Sequence, residues 1–245
     1  MRMAIVGSVR GIFRYPVKSF AGERLESECR IESYGLFGDR LYAFIDETKE
    51  GWSSFITARG IPAMLSYRAI LDEKSAEDGE PCVIVTAPDG KSYRWDEELL
   101  REIQQFARVK ISMKSYRPKS GGGTGIDDSH ILIVTDRSLL RLEALWGKEL
   151  DPRRFRANLI VSLNDEEAEE SEWIGKNVTI GSAELRIDKG CERCAMIGLH
   201  PDTQERDPSL LKVVNKELKL IFGVYASVVK PGAIAVGDEV LLRSP

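Results

Sequence analysis

The sequence predicts a mostly β, α+β fold. Three observations carry that expectation: many short apolar runs of strand length, Gly and Pro turn signals between them, and few stretches with helical periodicity. A barrel or a sandwich both satisfy this pattern. Residues 3–15 mix Ile, Val and Phe with small and basic residues and read as β, and 41–45 is a short apolar run behind a turn. Residues 81–86, the turn Ala87-Pro88-Asp89-Gly90 and residues 91–95 read as strand, turn, strand. One helix is expected over 96–107, capped by Asp96, with Leu99, Leu100, Ile103 and Phe106 on one face.

The second half mixes element types. Residues 131–134 form a buried-strand run, after which Thr135 or Asp136 caps a helix carrying Leu139, Leu140, Leu142, Leu145 and Trp146. Strands are expected at 158–163, 177–180 and 183–188, and 195–199 also reads as strand. Pro208 opens a helix over 208–219 with Leu210, Leu211, Val214 and Leu218 at helical spacing, and strands at 224–229 and 239–242 close the chain. Gly121, Gly122, Gly123 and Gly125 fall within five positions, which reads as a flexible linker or as a loop crossing near a ligand.

Composition narrows the function classes. The 245 residues suit one or two domains, and 42% hydrophobic with 30% charged residues is globular rather than disordered. A net charge of −4 speaks against nucleic acid as the main partner. No apolar run approaches the roughly 18 residues of a membrane helix. Arg10, Arg14 and Lys18 interrupt the first apolar stretches, unlike a secretory signal. With only four cysteines, disulfides do not carry the fold, and a cytoplasmic protein is expected.

The most informative tetrapeptide is Cys191-Glu192-Arg193-Cys194. Two thiols at this spacing can share a zinc, exchange as a disulfide, remain inert, or present one thiolate to a soft metal. Zinc lacks the second half of its usual ligand set, because Cys29 and Cys82 are isolated and His130 and His200 are far apart in sequence. Strand-like flanks disfavour the helix N-terminus of a thioredoxin-type pair. A lone thiolate would need an organic cofactor to do most of the holding. Groups suited to an anionic cofactor recur along the chain: Lys18 and Ser19 after the first strand, Arg40 beside Asp39, Arg59 after Thr57, and Arg153, Arg154 and Arg156 just before Asn158. Any one of these arginines is more often solvated surface charge.

Taken in order, Tyr15-Pro16-Val17-Lys18-Ser19, Gly35-Leu36-x-Gly38-Asp39-Arg40, Thr57-Ala58-Arg59, Phe155-Arg156-x-Asn158, Cys191-x-Arg193-Cys194, Asp202-Thr203, Phe222-Gly223-x-Tyr225 and Val236-Gly237-Asp238 resemble the MOSC family, the molybdenum cofactor sulfurase C-terminal domains. Nearly the whole chain is similar to members with an N-terminal β-barrel, such as the mitochondrial amidoxime-reducing component and its bacterial relatives. The resemblance implies an N-terminal MOSC β-barrel domain over 1–118, packed against a β-barrel-like MOSC domain with a few helices over 119–245. It implies Mo-molybdopterin as cofactor, with Cys194 as metal ligand. Lys18, Ser19 and Arg40 would contact the pterin from one side, Thr135, Ser138, Arg156 and Asn158 from the other, with Arg193 adjoining and Arg59 adding a cation. Tyr225 would shape the catalytic pocket and Asp202 would relay protons. The implied activity is reduction of small N-hydroxylated substrates with electrons from a separate redox protein. The alternative is a non-catalytic carrier of the cofactor or of sulfur. Two departures stand out. Gln204 replaces a glycine common after Asp-x-Thr, and neither a ferredoxin-type cysteine set nor a pyridoxal-phosphate sulfurase domain is present, hence the expectation of a separate electron donor.

Overall fold

The computed structural model of the protein describes residues 3–77, 80–117, 125, 129–164 and 169–243. Strands dominate, as the sequence predicts, with three α-helices among the described residues. The glycine-rich stretch lies outside the described residues except for Gly125.

The first strand, β1 (Met3–Arg14), is followed by β2 (Glu23–Leu25), β3 (Cys29–Glu32), β4 (Gly35–Leu36) and β5 (Tyr42–Asp46). Next come β6 (Arg68–Glu77), β7 (Glu80–Thr86), β8 (Ser92–Tyr93), α1 (Glu97–Gln104) and β9 (Ile111–Ser115). The second half contains β10 (Ile131–Thr135), α2 (Asp136–Trp146), β11 (Leu159–Leu163), β12 (Asn177–Ile180) and β13 (Ala183–Glu192). It closes with α3 (Ser209–Leu218), β14 (Ile221–Lys230), β15 (Gly232–Ile234) and β16 (Glu239–Arg243).

Seven strands close into a barrel in the order β11-β10-β14-β13-β12-β16-β1, because β1 pairs with both β16 and β11. Closure leaves no free edge within the ring, which is how small β folds avoid edge-to-edge association. Alternation sorts the side chains. Val6, Ile12, Ile133, Val161, Val178, Leu185, Val224 and Val240 fill the interior. Leu132 and Val134, offset by one, face outward onto α2 and α3 with Leu142, Phe155, Leu210 and Val214. Gly7 is required where β1 crosses β11, since a Cβ there would sit 2.1 Å from the Ser162 carbonyl oxygen.

A separate core gathers around Phe20, Phe44, Met64, Tyr67, Val85, Leu99 and Ile103, where β5 pairs with β9 and β7 with β6 and β8, whereas Cys29 and Ile31 of β3 and Leu36 of β4 pack into the barrel core. Asp96 caps α1 by accepting from the Glu98 and Leu99 N–H groups, as expected, but the helix stops at Gln104 and leaves Phe106 exposed. Thr135 caps α2, which ends at the left-handed Gly147. Its apolar stripe is Leu139, Leu142 and Trp146, while Leu140 and Leu145, the other leucines the helix carries, are exposed. The strand expected at 195–199 is a 3-10 turn, Ala195–Gly198, closed by the Ile197 N–H donating to the Cys194 carbonyl at 3.3 Å.

Candidate functional site

A cavity of about 490 Å³ opens between the barrel and the N-terminal core. Several stretches build it. The chain leaving β1 brings Lys18 and Ser19. The turn before β5 brings Arg40, and the loop behind it brings Trp52, Thr57 and Arg59. A 3-10 turn, Pro152–Phe155, leads into Arg156 and Asn158. The end of β13 and the turn after it bring Glu192, Arg193 and Cys194, with Tyr225 from β14.

Charge is the cavity's dominant feature. Among the described residues, Lys18, Arg40, Arg59, Arg154, Arg156 and Arg193 line it against a single acid, Glu192. Clustering six cations is unfavourable unless something negative is held among them. Backbone strain concentrates in the same place. Of six non-glycine residues with positive φ among the described residues, three line the cavity: Ser19 (69°), Arg40 (51°) and Arg156 (54°). Each such residue costs about 1–3 kcal/mol, and strain of this kind gathers where a side chain must point one way.

Contacts across the seam hold the cations. Lys18 Nζ donates to the Gly125 carbonyl at 2.9 Å and lies over the Trp52 and Phe55 rings. Arg40 pairs with buried Asp39 and donates to the Arg156 carbonyl at 3.2 Å. Arg156 Nη1 donates to the Phe20 carbonyl at 2.6 Å. Buried Asn158 accepts from the Leu132 N–H at 3.1 Å and donates to the Phe13 carbonyl at 3.2 Å, so it ties β10 to β1 beneath the cavity. Arg59 is exposed, and its carbonyl accepts from Arg206 Nη2 at 2.7 Å.

The two cysteines of the tetrapeptide differ. All four cysteines are free thiols; Cys191 is buried and Cys194 exposed. Between them, buried Arg193 donates from Nη1 to Cys191 Sγ at 2.8 Å and from Nη2 to the Phe155 carbonyl at 2.7 Å. Cys191 thus packs as part of the wall, while Cys194 is an exposed residue of the cavity lining. Among the described residues no group of three or more His, Cys, Asp or Glu could hold a metal ion. A protein-only zinc site is therefore not formed by them.

Nine of the expected site residues share this one cavity: Lys18, Ser19, Arg40, Arg59, Arg156, Asn158, Arg193, Cys194 and Tyr225. Three do not line it. Thr135 and Ser138, expected to hold a cofactor, instead donate their hydroxyls to Glu170 Oε2 at 2.5 and 2.6 Å beneath α2. Burial, the largest influence, raises the Glu170 carboxyl above its ordinary value, and those hydroxyls oppose the shift. Asp202, expected to relay protons, is an exposed partner of Arg153, with Oδ1 accepting from Nη1 at 2.9 Å. That hydrogen bond lowers its pKa and keeps it ionised, a poor state for delivering a proton near neutral pH. Trp52 escaped the sequence reading, since nothing in its local pattern separates a cavity rim from an ordinary surface aromatic.

Comparison with known proteins gives the same picture. The family profile described as the MOSC N-terminal beta barrel domain matches residues 6–120, and the MOSC domain profile matches residues 121–241. The chain is 30% identical over 285 residues to the mitochondrial amidoxime reducing component 2 of Bos taurus, covering 98% of this chain and 84% of that protein. The corresponding protein of Homo sapiens is 25% identical with the same coverage. The molybdenum cofactor sulfurase 1 of Aedes aegypti is 40% identical over 80 residues, which is 32% of this chain and 10% of that one. Among solved structures, the YUAD protein from Bacillus subtilis has a TM-score of 0.53 at 17% identity, over 100% of this chain and 98% of that chain, a likeness of fold alone.

Proposed function

This chain belongs to the MOSC family, and from that premise we propose that it is a molybdenum cofactor-binding oxidoreductase that reduces small N-hydroxylated compounds with electrons from a separate redox protein. The observation that carries the reading is an exposed thiol, Cys194, on the same cavity as six cations. The donor set suits the cofactor. Cys194 offers one soft sulfur, and the cationic wall suits a phosphorylated organic body. Two wall arginines keep donors in reserve: the buried Nε atoms of Arg154 and Arg193 have no hydrogen-bond partner among the described residues.

Cys194 is the residue that would ligate the metal. Lys18, Ser19, Arg40, Arg59, Arg156, Asn158 and Arg193 would hold the anionic pterin part from both sides of the seam. When bound, the cofactor supplies the two-electron oxygen-transfer chemistry. Overall the N–O bond of the substrate breaks and its oxygen leaves as water, consuming two electrons and two protons. The chain's own work is to neutralise the cofactor's charge, to fix its orientation through side chains on strained backbone, and to shape the approach with Tyr225. Thr135, Ser138 and Asp202 have no part in this reading.

The test is reduction of benzamidoxime by protein expressed in a molybdate-supplied host, with a reduced viologen as donor. Turnover that falls to background in Cys194→Ser supports the reading; turnover retained in that variant refutes it. The exposure of Cys194 also suits a carrier that passes the cofactor or sulfur to other enzymes. A persulfide on Cys194 by mass spectrometry, together with cofactor transfer to an apo-enzyme and no benzamidoxime turnover, would favour the carrier.

No helix among the described residues is long and apolar enough to cross a membrane. We assign the chain to the cytoplasm on its sequence, with fractionation of the native host as the check.

A further inference from the structure

Tyr15 stands behind the cavity wall, 5% exposed, where the chain leaves β1. The Arg40 guanidinium lies over its ring at 5.0 Å and the Arg156 guanidinium at 4.2 Å. Its backbone belongs to the same knot: the N–H donates to Asp39 Oδ1 at 2.7 Å and the carbonyl accepts from the Arg40 N–H at 2.8 Å. By contrast, the hydroxyl's one hydrogen bond among the described residues is long, donating to the Ala157 carbonyl at 3.5 Å.

Two guanidiniums gathered at one ring repel each other. Asp39 already offsets part of the Arg40 charge, and the electron-rich face of the ring offsets part of the remaining repulsion without adding a further counter-charge that would compete with a bound anion. Burial raises the Tyr15 pKa above its ordinary value even though Arg156 and Arg40 pull it down, so the phenol stays neutral. The two cations therefore meet a ring and not a phenolate.

We propose that Tyr15 is a positioning residue whose ring, rather than its hydroxyl, sets the spacing at which Arg40 and Arg156 grip a multiply charged oxyanion. It rests on reading the cavity as the cofactor's anion-binding pocket. Arg40 comes from the N-terminal span and Arg156 from the C-terminal one, so a single side chain registers the two halves of the grip. A leucine there fills space but offers neither cation a π face. Phenylalanine keeps the face and gives up only the long hydroxyl contact.

The test uses the full-length chain as wild type, Tyr15→Phe and Tyr15→Leu. Molybdenum per chain is measured on protein from a molybdate-supplied host, inorganic pyrophosphate is titrated calorimetrically into cofactor-free protein, and urea unfolding checks the fold. Tyr15→Phe is expected within about twofold of wild type in both binding measurements. Tyr15→Leu is expected to bind pyrophosphate roughly tenfold more weakly, a difference of about 1.4 kcal/mol, and to lose molybdenum while still unfolding cooperatively. Wild-type affinity in folded Tyr15→Leu overturns the proposal, and so does loss of affinity in Tyr15→Phe. Should Tyr15→Leu fail to fold, the phenylalanine variant decides alone: retention supports the ring, loss refutes it. Pyrophosphate bound without any molybdenum in wild type would sink the cofactor reading and leave the positioning role standing. Molybdenum present in wild type and undiminished in Tyr15→Leu would do the reverse. No binding of either by wild type would sink both.

Discussion

Replacing Arg193 with methionine separates holding a ligand from holding the fold. Arg193 is 8% exposed, and its guanidinium meets a thiol and a carbonyl, donating to Cys191 Sγ at 2.8 Å and to the Phe155 carbonyl at 2.7 Å. Its Nε is buried with no partner among the described residues. Methionine strands the Phe155 carbonyl, which costs about 1–3 kcal/mol. It also removes a buried cation with no ion-pair partner among the described residues, whose desolvation penalty is several kcal/mol. The two effects oppose each other, and the cofactor-free variant should stay within about 2 kcal/mol of wild type in urea unfolding. Ligand binding has no such compensation. One charge-assisted contact is worth about 1.5–3 kcal/mol, so pyrophosphate affinity should fall roughly 10–100-fold. Unfolding reports the first quantity and calorimetry at fixed ionic strength the second. A loss of more than about 3 kcal/mol in stability with unchanged affinity would show that Arg193 is a structural residue, and the reasoning would be refuted.

Three further outcomes follow from the same structure. Glu170→Gln probes the buried Thr135–Ser138–Glu170 cluster. Burial raises the Glu170 pKa above 4.5, so the folded chain holds that proton more tightly than the unfolded one. That stabilisation is fully present below about pH 4.5 and is lost as pH rises through the raised folded value; the neutral glutamine should therefore be the more stable at pH 7.5, with the difference vanishing in acid. A glutamine variant less stable than wild type at pH 7.5 contradicts this. Asp202→Asn, on an exposed pair with Arg153, should change stability by about 1 kcal/mol or less and leave the pH profile of benzamidoxime reduction unaltered. A profile that loses one limb would return Asp202 to a proton-transfer role. Asn158→Leu removes the hydrogen bonds that tie β10 to β1 and strands the Leu132 N–H and the Phe13 carbonyl, so it should cost about 2–6 kcal/mol in urea unfolding, whereas an unchanged midpoint would mean that neither group depends on it.

Much of the fold is legible in local chemistry. Asp96 and Thr135 announce their helices because an N-cap is a one-turn interaction. Residues 177–180 read as strand and form β12 with those bounds, since alternation is a property of adjacent residues. What escapes the sequence is set at long range. Nothing in residues 3–14 says that β1 will pair with β11 and β16 and close the barrel. Leu140 and Leu145 look like core because both are apolar, yet only one side of α2 meets the barrel.

The site divides in the same way. Cys194, Arg193 and the residues around Arg156 stand out because their types and order match a family pattern. The pairing of Thr135 and Ser138 with Glu170 spans 35 and 32 positions, and that of Asp202 with Arg153 spans 49, so neither leaves a local trace. Ser19, Arg40 and Arg156 adopt the left-handed backbone that sequences usually mark with glycine or asparagine. Here polar and basic residues adopt it, which places strain where no composition rule anticipates it.

The most direct check on cofactor capture through Cys194 is metal analysis. Wild-type protein and Cys194→Ser, both purified from a molybdate-supplied host, are compared for molybdenum per folded chain. Close to one atom in wild type and little in the serine variant is the expected pair of values. Equal molybdenum in the two proteins, or zinc in place of molybdenum in the wild type, would contradict it.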